Sequence, residues 1–301
     1  MIPTAQTASP ARIRSASIGL VFGGVLWGLF WLPVRLLAQA GFEGAWPGLM
    51  IYIGASVLLV PVIVWRWRGI RAHLPTLALC GLLTGTAFSL YSTSIPLTEV
   101  VRVLLLFYLM PIWGTLLGLI FLGERLTLAR VAALVLGFSG LAVVLGFDAG
   151  FPLPRNWGDW LALLSGVAWA LGSMALYRAE TVPVPEQLVA FVVGSLVVTG
   201  LMLWLGGPVM GQVPDRALLV GTLPAAILLG FYILPLLFLT IWPATLLLPG
   251  RVGILLMSDV VVGVASAAAF AGEPFGAREI FGTILIVGAA LVELLGREDE
   301  S

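Results

Sequence analysis

Apolar runs of roughly 20 residues follow one another along almost the whole chain, and each is long enough for a helix to cross about 30 Å of membrane hydrocarbon. Short breaks rich in glycine, proline or charge separate the runs, and none is long enough to fold as a separate soluble domain. We therefore predict an all-α integral membrane protein with ten transmembrane helices. The predicted spans are 17–38, 47–65, 74–95, 99–122, 128–147, 157–177, 187–206, 217–239, 244–270 and 277–296.

The composition excludes several classes of function. The chain is 60% hydrophobic and 10% charged with no net charge, so lipid covers most of its surface and nucleic acid is not an expected partner. One cysteine and one histidine cannot form a Cys/His metal site, and no phosphate-binding loop for a nucleotide is present. We expect no cofactor and no enzymatic activity, because an intramembrane enzyme needs clustered acids and bases. An uncoupled channel or facilitator stays open, although no selectivity-filter motif is present.

The distribution of arginine predicts the orientation in the membrane. All 15 basic residues are arginine, and an even number of spans places both termini on one side. With the N-terminus inside, ten arginines fall at the inner face and five at the outer face. Because basic residues favour the cytoplasmic side, we predict that both termini, with tails at 1–16 and 298–301, are cytoplasmic.

The chain also carries an internal repeat. A shift of 149 residues superimposes the fourth predicted span on the ninth, and a shift of 142 superimposes the first on the sixth. The matched pairs include Arg102 with Arg251, Gly114 with Gly263, Glu124 with Glu273, and Trp27 with Trp169. Two five-span units follow, 17–149 and 150–297, and the second is inverted because five is odd. Inverted repeats around a central cavity are typical of secondary transporters, so we predict this architecture and alternating access.

Short motifs in both halves point to a known family. The ten spans, the paired halves, and the Gly-Glu motifs within Phe121–Glu124 and Phe270–Glu273 resemble the EamA-type members of the drug/metabolite transporter superfamily. Within it, the chain is most similar to bacterial exporters of aromatic and other neutral amino acids. The resemblance implies a multi-pass protein of the bacterial inner membrane that exports such small solutes through a cavity lined by spans 1, 3, 4, 6, 8 and 9. Nucleosides, cationic drugs and sugar derivatives are the alternative solutes.

Asp259 is the most informative polar residue. It lies near the middle of the ninth span, where a charged side chain costs at least about 2.5–3.5 kcal/mol unless it faces a cavity or a partner. It either binds a substrate ammonium group or carries a proton, or it makes a structural hydrogen bond between helices. Its repeat counterpart is Met110, so the fold itself does not require an acid at this position.

Two tryptophans fall at mid-span rather than at the membrane interface that tryptophan prefers. Trp27 and Trp169 either line the cavity and stack on flat solutes, or pack against glycine. The spans that the resemblance assigns to the pore also carry hydroxyl groups, any one of which is typical of helix–helix hydrogen bonding. These hydroxyl residues are Tyr91, Ser94, Tyr108, Ser173, Tyr232 and Ser258. Together with Asp259 they predict an apolar cavity with a few polar groups.

Arginines begin the fourth and ninth spans. Inversion places Arg102 and Arg251 at opposite mouths of the predicted path, where a guanidinium group can hold a substrate carboxylate by two hydrogen bonds. The alternatives are snorkelling to the lipid headgroups, or an ion pair that closes a gate, such as Arg102 with Glu99.

Glycine and proline predict where helices end or bend. Gly123 and its repeat counterpart Gly272 are expected to end helices in the left-handed conformation. Glu124 would then favour the positive end of the next helix. Pro111 and Pro235 are expected to kink their spans, and they either act as hinges for gating or are simply tolerated, as proline often is in membrane helices.

Overall fold

The computed structural model describes residues 9–95, 97–98, 100–145, 154–271 and 276–295. Within these residues every regular element is a helix. The helices are α1 Pro10–Trp27, α2 Trp31–Gln39, α3 Trp46–Ala72, α4 Leu74–Ser94, α5 Val100–Phe107, α6 Met110–Leu117, α7 Leu128–Leu145, α8 Trp157–Arg178, α9 Val184–Gly206, α10 Arg216–Ala244, α11 Pro249–Leu256, α12 Ser258–Ala271 and α13 Ala277–Leu295, with a π-helical turn at Gly118–Leu122 and a 3₁₀ turn at Gly207–Met210.

Many of these helices suit a membrane. Seven segments of the described chain are long and apolar enough to cross one, and two shorter apolar helices accompany them. The seven are Pro10–Gln39, Trp46–Ala72, Leu74–Ser94, Trp157–Arg178, Val184–Met210, Arg216–Ala244 and Pro249–Phe270; the shorter two are Met110–Leu122 and Leu128–Val143. The architecture is that of a multi-pass helical membrane protein, while the number of ten spans stays a prediction.

Three of the predicted spans consist of two helices rather than one. The first is interrupted after Trp27, the fourth after Phe107 and the ninth after Leu256. The fourth and ninth interruptions lie at equivalent positions of the repeat, since Tyr108 and Met257 are 149 residues apart. Backbone groups near an interruption lose helical partners, so interrupted helices in a membrane belong where protein or a cavity surrounds them.

Proline follows two of these interruptions, since Pro33 lies in the first turn of α2 and Pro111 in the first turn of α6. Pro111 lies just after the break between α5 and α6. A proline ring clashes with the carbonyl group four residues earlier, so Pro111 prevents a continuous helix there. Pro235, the second expected kink, lies within the unbroken helix α10. The break before α12 contains no proline; there the Ser258 hydroxyl donates to the carbonyl of Leu255 at 2.9 Å.

Glycines allow two pairs of helices to cross closely. Helices α4 and α9 touch at Gly81 and Gly194, and a Cβ atom on Gly194 would collide with the Gly81 carbonyl group. Helices α3 and α10 touch at Gly54 and Gly230, where a Cβ atom on Gly230 would lie 2.9 Å from the Gly54 oxygen. Small residues of this kind bring membrane helices into backbone contact. One glycine of each crossing occupies a matching position, since Gly81 and Gly230 are also 149 residues apart.

Contacts between the two halves follow a regular pairing. Helix α4 packs against α8 and α9, and its counterpart α10 packs against α1 and α3. Helix α8 packs against α5 and α6, and its counterpart α1 packs against α11 and α12. The contact of α7 with α13 joins counterparts directly. Exchanging the two halves therefore maps each of these contacts onto another observed contact.

Buried charges stabilise the end of the bundle where α6, α7 and α13 meet. Gly123 has a φ of +70°, which confirms the predicted left-handed helix end. The Arg130 guanidinium group lies 3.0 Å from a Glu124 oxygen and 3.0 Å from a Glu293 oxygen. Glu124 therefore joins an ion-pair network instead of serving the start of α7, as its position in sequence had suggested. Gly272 and Glu273, the other Gly-Glu motif, lie outside the described residues.

Candidate functional site

Aromatic side chains form a continuous cluster where α1, α4, α5, α8 and α9 approach one another. We call it the aromatic cluster; its described members are Trp27, Phe30, Phe88, Tyr91, Phe107, Tyr108, Trp169 and Phe191. Phe88 is its centre. The Trp27 ring stacks on Phe88 with 4.5 Å between centroids and 14° between planes, and Trp169 meets Phe88 edge-on at 5.2 Å. Both geometries are favourable for aromatic rings.

Helix packing sets the position of these rings. Phe88 and Tyr91 are three residues apart on α4, so they share one face of that helix. The glycine crossing with α9 fixes the position of this face. Trp27 is the last residue of α1, immediately before the interruption of the first span. The cluster therefore joins residues from both halves of the chain.

The two tryptophans differ in how their indole N–H groups are satisfied. Trp27 is half-buried and donates to the Thr240 hydroxyl at 2.9 Å. Trp169 is 1% exposed, and its N–H has no hydrogen-bond partner among the described residues. An unpaired buried donor costs about 1–3 kcal/mol, so an acceptor on a bound solute would bind favourably here.

Asp259 lies beside this cluster at the start of α12. It is half-buried, its Oδ1 has no hydrogen-bond partner, and it makes no ion pair with a described residue. Asp259 lies in the first turn of α12, and the first turn of a helix favours an anion.

Glycines of α1 bring Asp259 close to Trp27. A Cβ atom on Gly24 would lie 3.3 Å from the Asp259 nitrogen. A Cβ atom on Gly28 would lie 2.8 Å from the Gly263 nitrogen, one helical turn further along α12. The α1 backbone on either side of Trp27 is thus in contact with α12. Trp27 and Asp259, which are far apart in sequence, therefore lie on segments that pack together.

Four of the predicted hydroxyl residues have other partners. Ser94 and Ser173 are buried and donate to carbonyl groups three residues earlier in their own helices, at 2.7 and 3.0 Å. The hydroxyl of Tyr232 donates to the carbonyl of Leu26, and Ser258 also donates to a carbonyl of α1 at 3.2 Å. Through these hydrogen bonds, Tyr232 and Ser258 hold α10 and α12 against α1.

The predicted mouth residues are described only in part. Arg251 is 4% exposed and donates to the Ser17 hydroxyl of α1 at 3.2 Å, so it does not snorkel to the lipid headgroups. Arg102 lies in α5, but its side chain is outside the described residues, as is the whole of Glu99. A gate made by the latter two stays a prediction.

Sequence reasoning missed the centre of the site. Phe88, Phe107 and Phe191 are apolar residues in apolar helices, and nothing in the local pattern distinguishes them from lipid-facing phenylalanines. Thr240, the acceptor for Trp27, lies 213 residues further along the chain. Only the spacing of Phe88 and Tyr91 on one helical face gave a signal.

Comparison with known proteins assigns the first half of the chain. The model of the EamA-like transporter family matches residues 14–146, which run from within α1 to the end of α7. This stretch includes Trp27, Phe88 and Tyr91 of the site. The match points to a transporter of small molecules. The match indicates a transporter rather than an enzyme.

The second comparison concerns the fold alone. A solved crystal structure is similar over 93% of this chain and 98% of its own, with a TM-score of 0.65 and 22% sequence identity. The chain therefore adopts a fold that has already been observed. No curated protein matches the chain. Neither the family match nor the fold match singles out amino-acid exporters.

Proposed function

We propose that this protein is a secondary transporter that exports small organic solutes, above all aromatic and other neutral amino acids, across the bacterial cytoplasmic membrane. The observation that carries the proposal is the aromatic cluster with Asp259 at its edge, where both halves of the chain meet. Apolar sites with a few placed polar groups are typical of small-molecule binding. A flat side chain would stack among the rings while its polar end reaches Asp259.

The arrangement of the helices supports alternating access as the mechanism. Interrupted helices at the contact between two related halves are typical of transporters in which one half moves against the other. The pairing of contacts between halves is the pattern that two such units would produce. Each half would present the site to one side of the membrane in turn.

Transport is tested with the purified protein reconstituted in liposomes. We expect saturable uptake of radiolabelled tryptophan, phenylalanine or leucine from a panel of amino acids, measured with and without a pH gradient, and none in protein-free liposomes. Phe88→Ala should abolish saturable uptake, because the ring at the centre of the cluster is lost. Uptake of nucleosides, sugar derivatives or drugs alone would move the proposal to those solutes. The absence of any flux from folded protein would refute it.

The inverted repeat is tested by labelling equivalent loops. Ala72 follows the second predicted span, and Gln212 lies in the equivalent loop of the second half; both are exposed. In a Cys80→Ala background, Ala72→Cys and Gln212→Cys should react with an impermeant thiol reagent from opposite sides of the membrane. We expect Ala72→Cys to react from the cytoplasm. Reaction of both from the same side would exclude inversion.

A further inference from the structure

We propose that Asp259 and the aromatic cluster form a binding site for an ammonium group, so that the solutes are amines with a flat apolar body and their carboxylate is dispensable. This inference rests on the proposed transport function and specifies its substrate class. The ammonium group of the solute alone, and not the ammonium and carboxylate groups together, would decide whether the solute binds.

The carboxyl group of Asp259 lacks a partner within the described protein. Its Oδ1 is buried and has no hydrogen-bond partner, and no described residue forms an ion pair with it. A carboxylate at such a depth is costly unless a cation or water reaches it. An ammonium group supplies both a positive charge and hydrogen-bond donors for this oxygen.

Aromatic rings next to a carboxylate are suited to a cation. The faces of tryptophan and tyrosine attract ammonium groups within about 6 Å. Trp27 lies at the end of the α1 stretch that packs against the start of α12, and Tyr91 and Trp27 both contact the Phe88 ring. Both residues are half-buried. Phe88 lies between Trp27 and Tyr91 and completes an apolar wall for the rest of the solute.

Arg251, the other charged residue of the ninth predicted span, lies in α11, across the interruption at Met257 from Asp259. Its guanidinium group is buried and donates to Ser17 on α1. We therefore expect recognition at Asp259 to need no carboxylate on the solute.

The repeat indicates that the fold does not require an acidic residue at position 259. The residue at the equivalent position of the first half is Met110, which is buried next to the matching helix interruption. One half thus folds around this position with an apolar side chain. Asp259→Met is therefore a variant that removes the acid while following a pattern that the fold already accepts.

Three ligands with the same indole ring separate the possibilities. Tryptamine carries only the ammonium group, tryptophan carries both charges, and indole-3-propionate carries only the carboxylate. Their affinities would be measured by isothermal titration calorimetry with the purified full-length protein in detergent micelles. The variants are Asp259→Asn and Asp259→Met, and the control is Glu180→Gln, which removes one carboxylate from an exposed turn.

The expected result is a loss specific to ligands that contain an ammonium group. Tryptamine and tryptophan should bind the unmodified protein and the Glu180→Gln control alike, and both Asp259 variants should weaken this binding by about 30-fold or more. Indole-3-propionate should bind at least about tenfold more weakly than tryptamine and should not respond to the Asp259 variants.

Two results would overturn the inference. One is indole-3-propionate binding as tightly as tryptamine, and the other is an Asp259→Asn protein that retains tryptamine affinity. Binding of none of the three ligands, alongside liposome flux of other solutes, would overturn the ammonium site and leave the transporter intact. Ammonium-dependent binding without flux of any solute would refute transport instead and uphold the site.

Discussion

The glycine crossing between α4 and α9 makes a quantitative prediction. We expect Gly194→Ala to destabilise the protein, because a Cβ atom there would overlap the carbonyl group of Gly81 on the neighbouring helix. Backbone atoms cannot rotate away as a side chain can, so the helices must separate. The crossing also positions Phe88 and Tyr91, and separation of the helices would disturb the aromatic cluster.

The magnitude follows from two opposing effects. Overpacking a close contact costs about 1–3 kcal/mol, and contact with a fixed backbone places this site at the upper end. Alanine in place of glycine within a helix gains about 1 kcal/mol. The net expectation is a loss of about 2 kcal/mol in the free energy of unfolding, to which a weaker hydrogen bond between Ser89 and Thr199, now 2.8 Å long, would add.

A matched control lies on the same helix. Gly200 is also within α9, but a Cβ atom there would meet nothing within 4 Å. Gly200→Ala should therefore leave stability unchanged or raise it by up to about 1 kcal/mol. Both variants would be unfolded by titration with sodium dodecyl sulfate in mixed micelles, followed by tryptophan fluorescence. Equal stability of Gly194→Ala and Gly200→Ala would refute the claim that backbone contact holds these helices together.

Three further perturbations test other parts of the structure. Glu293→Gln removes a charge from the buried network around Arg130 and should lower the free energy of unfolding by about 3 kcal/mol in the same titration, whereas a change near zero would argue against burial of the pair. Trp27→Phe retains a ring next to Phe88 but loses the hydrogen bond to Thr240, so solute affinity in calorimetry should fall by about fivefold, and Trp27→Ala should lose more. Pro111→Ala restores a backbone donor after the break between α5 and α6 and should slow liposome flux without lowering stability; unchanged flux would show that this break is not a hinge.

Several residues of the candidate site could be predicted from the sequence, because polar side chains within an apolar membrane span are costly and therefore rare. Asp259, Trp27 and Trp169 stood out as residues that do not belong at the middle of a lipid-facing helix. Their common location was not visible, since Trp27 and Asp259 are brought together by the glycines of α1 and not by spacing along the chain. Hydroxyl groups were harder to interpret: Ser94 and Ser173 bond to their own helices, which a sequence pattern cannot distinguish from lining a cavity.

The sequence by itself determined the helical class and the membrane setting, and it predicted the internal repeat. In lipid every backbone polar group must be satisfied within its own segment, so long apolar runs leave few alternatives to spanning helices. Tertiary structure decided which apolar residues meet. Phe88 became the centre of the site and Glu293 a partner of Arg130 through contacts between segments that are far apart in the chain. Such contacts depend on how whole helices cross, and a hydrophobic pattern shared by nearly every residue of a membrane helix carries no information about that choice.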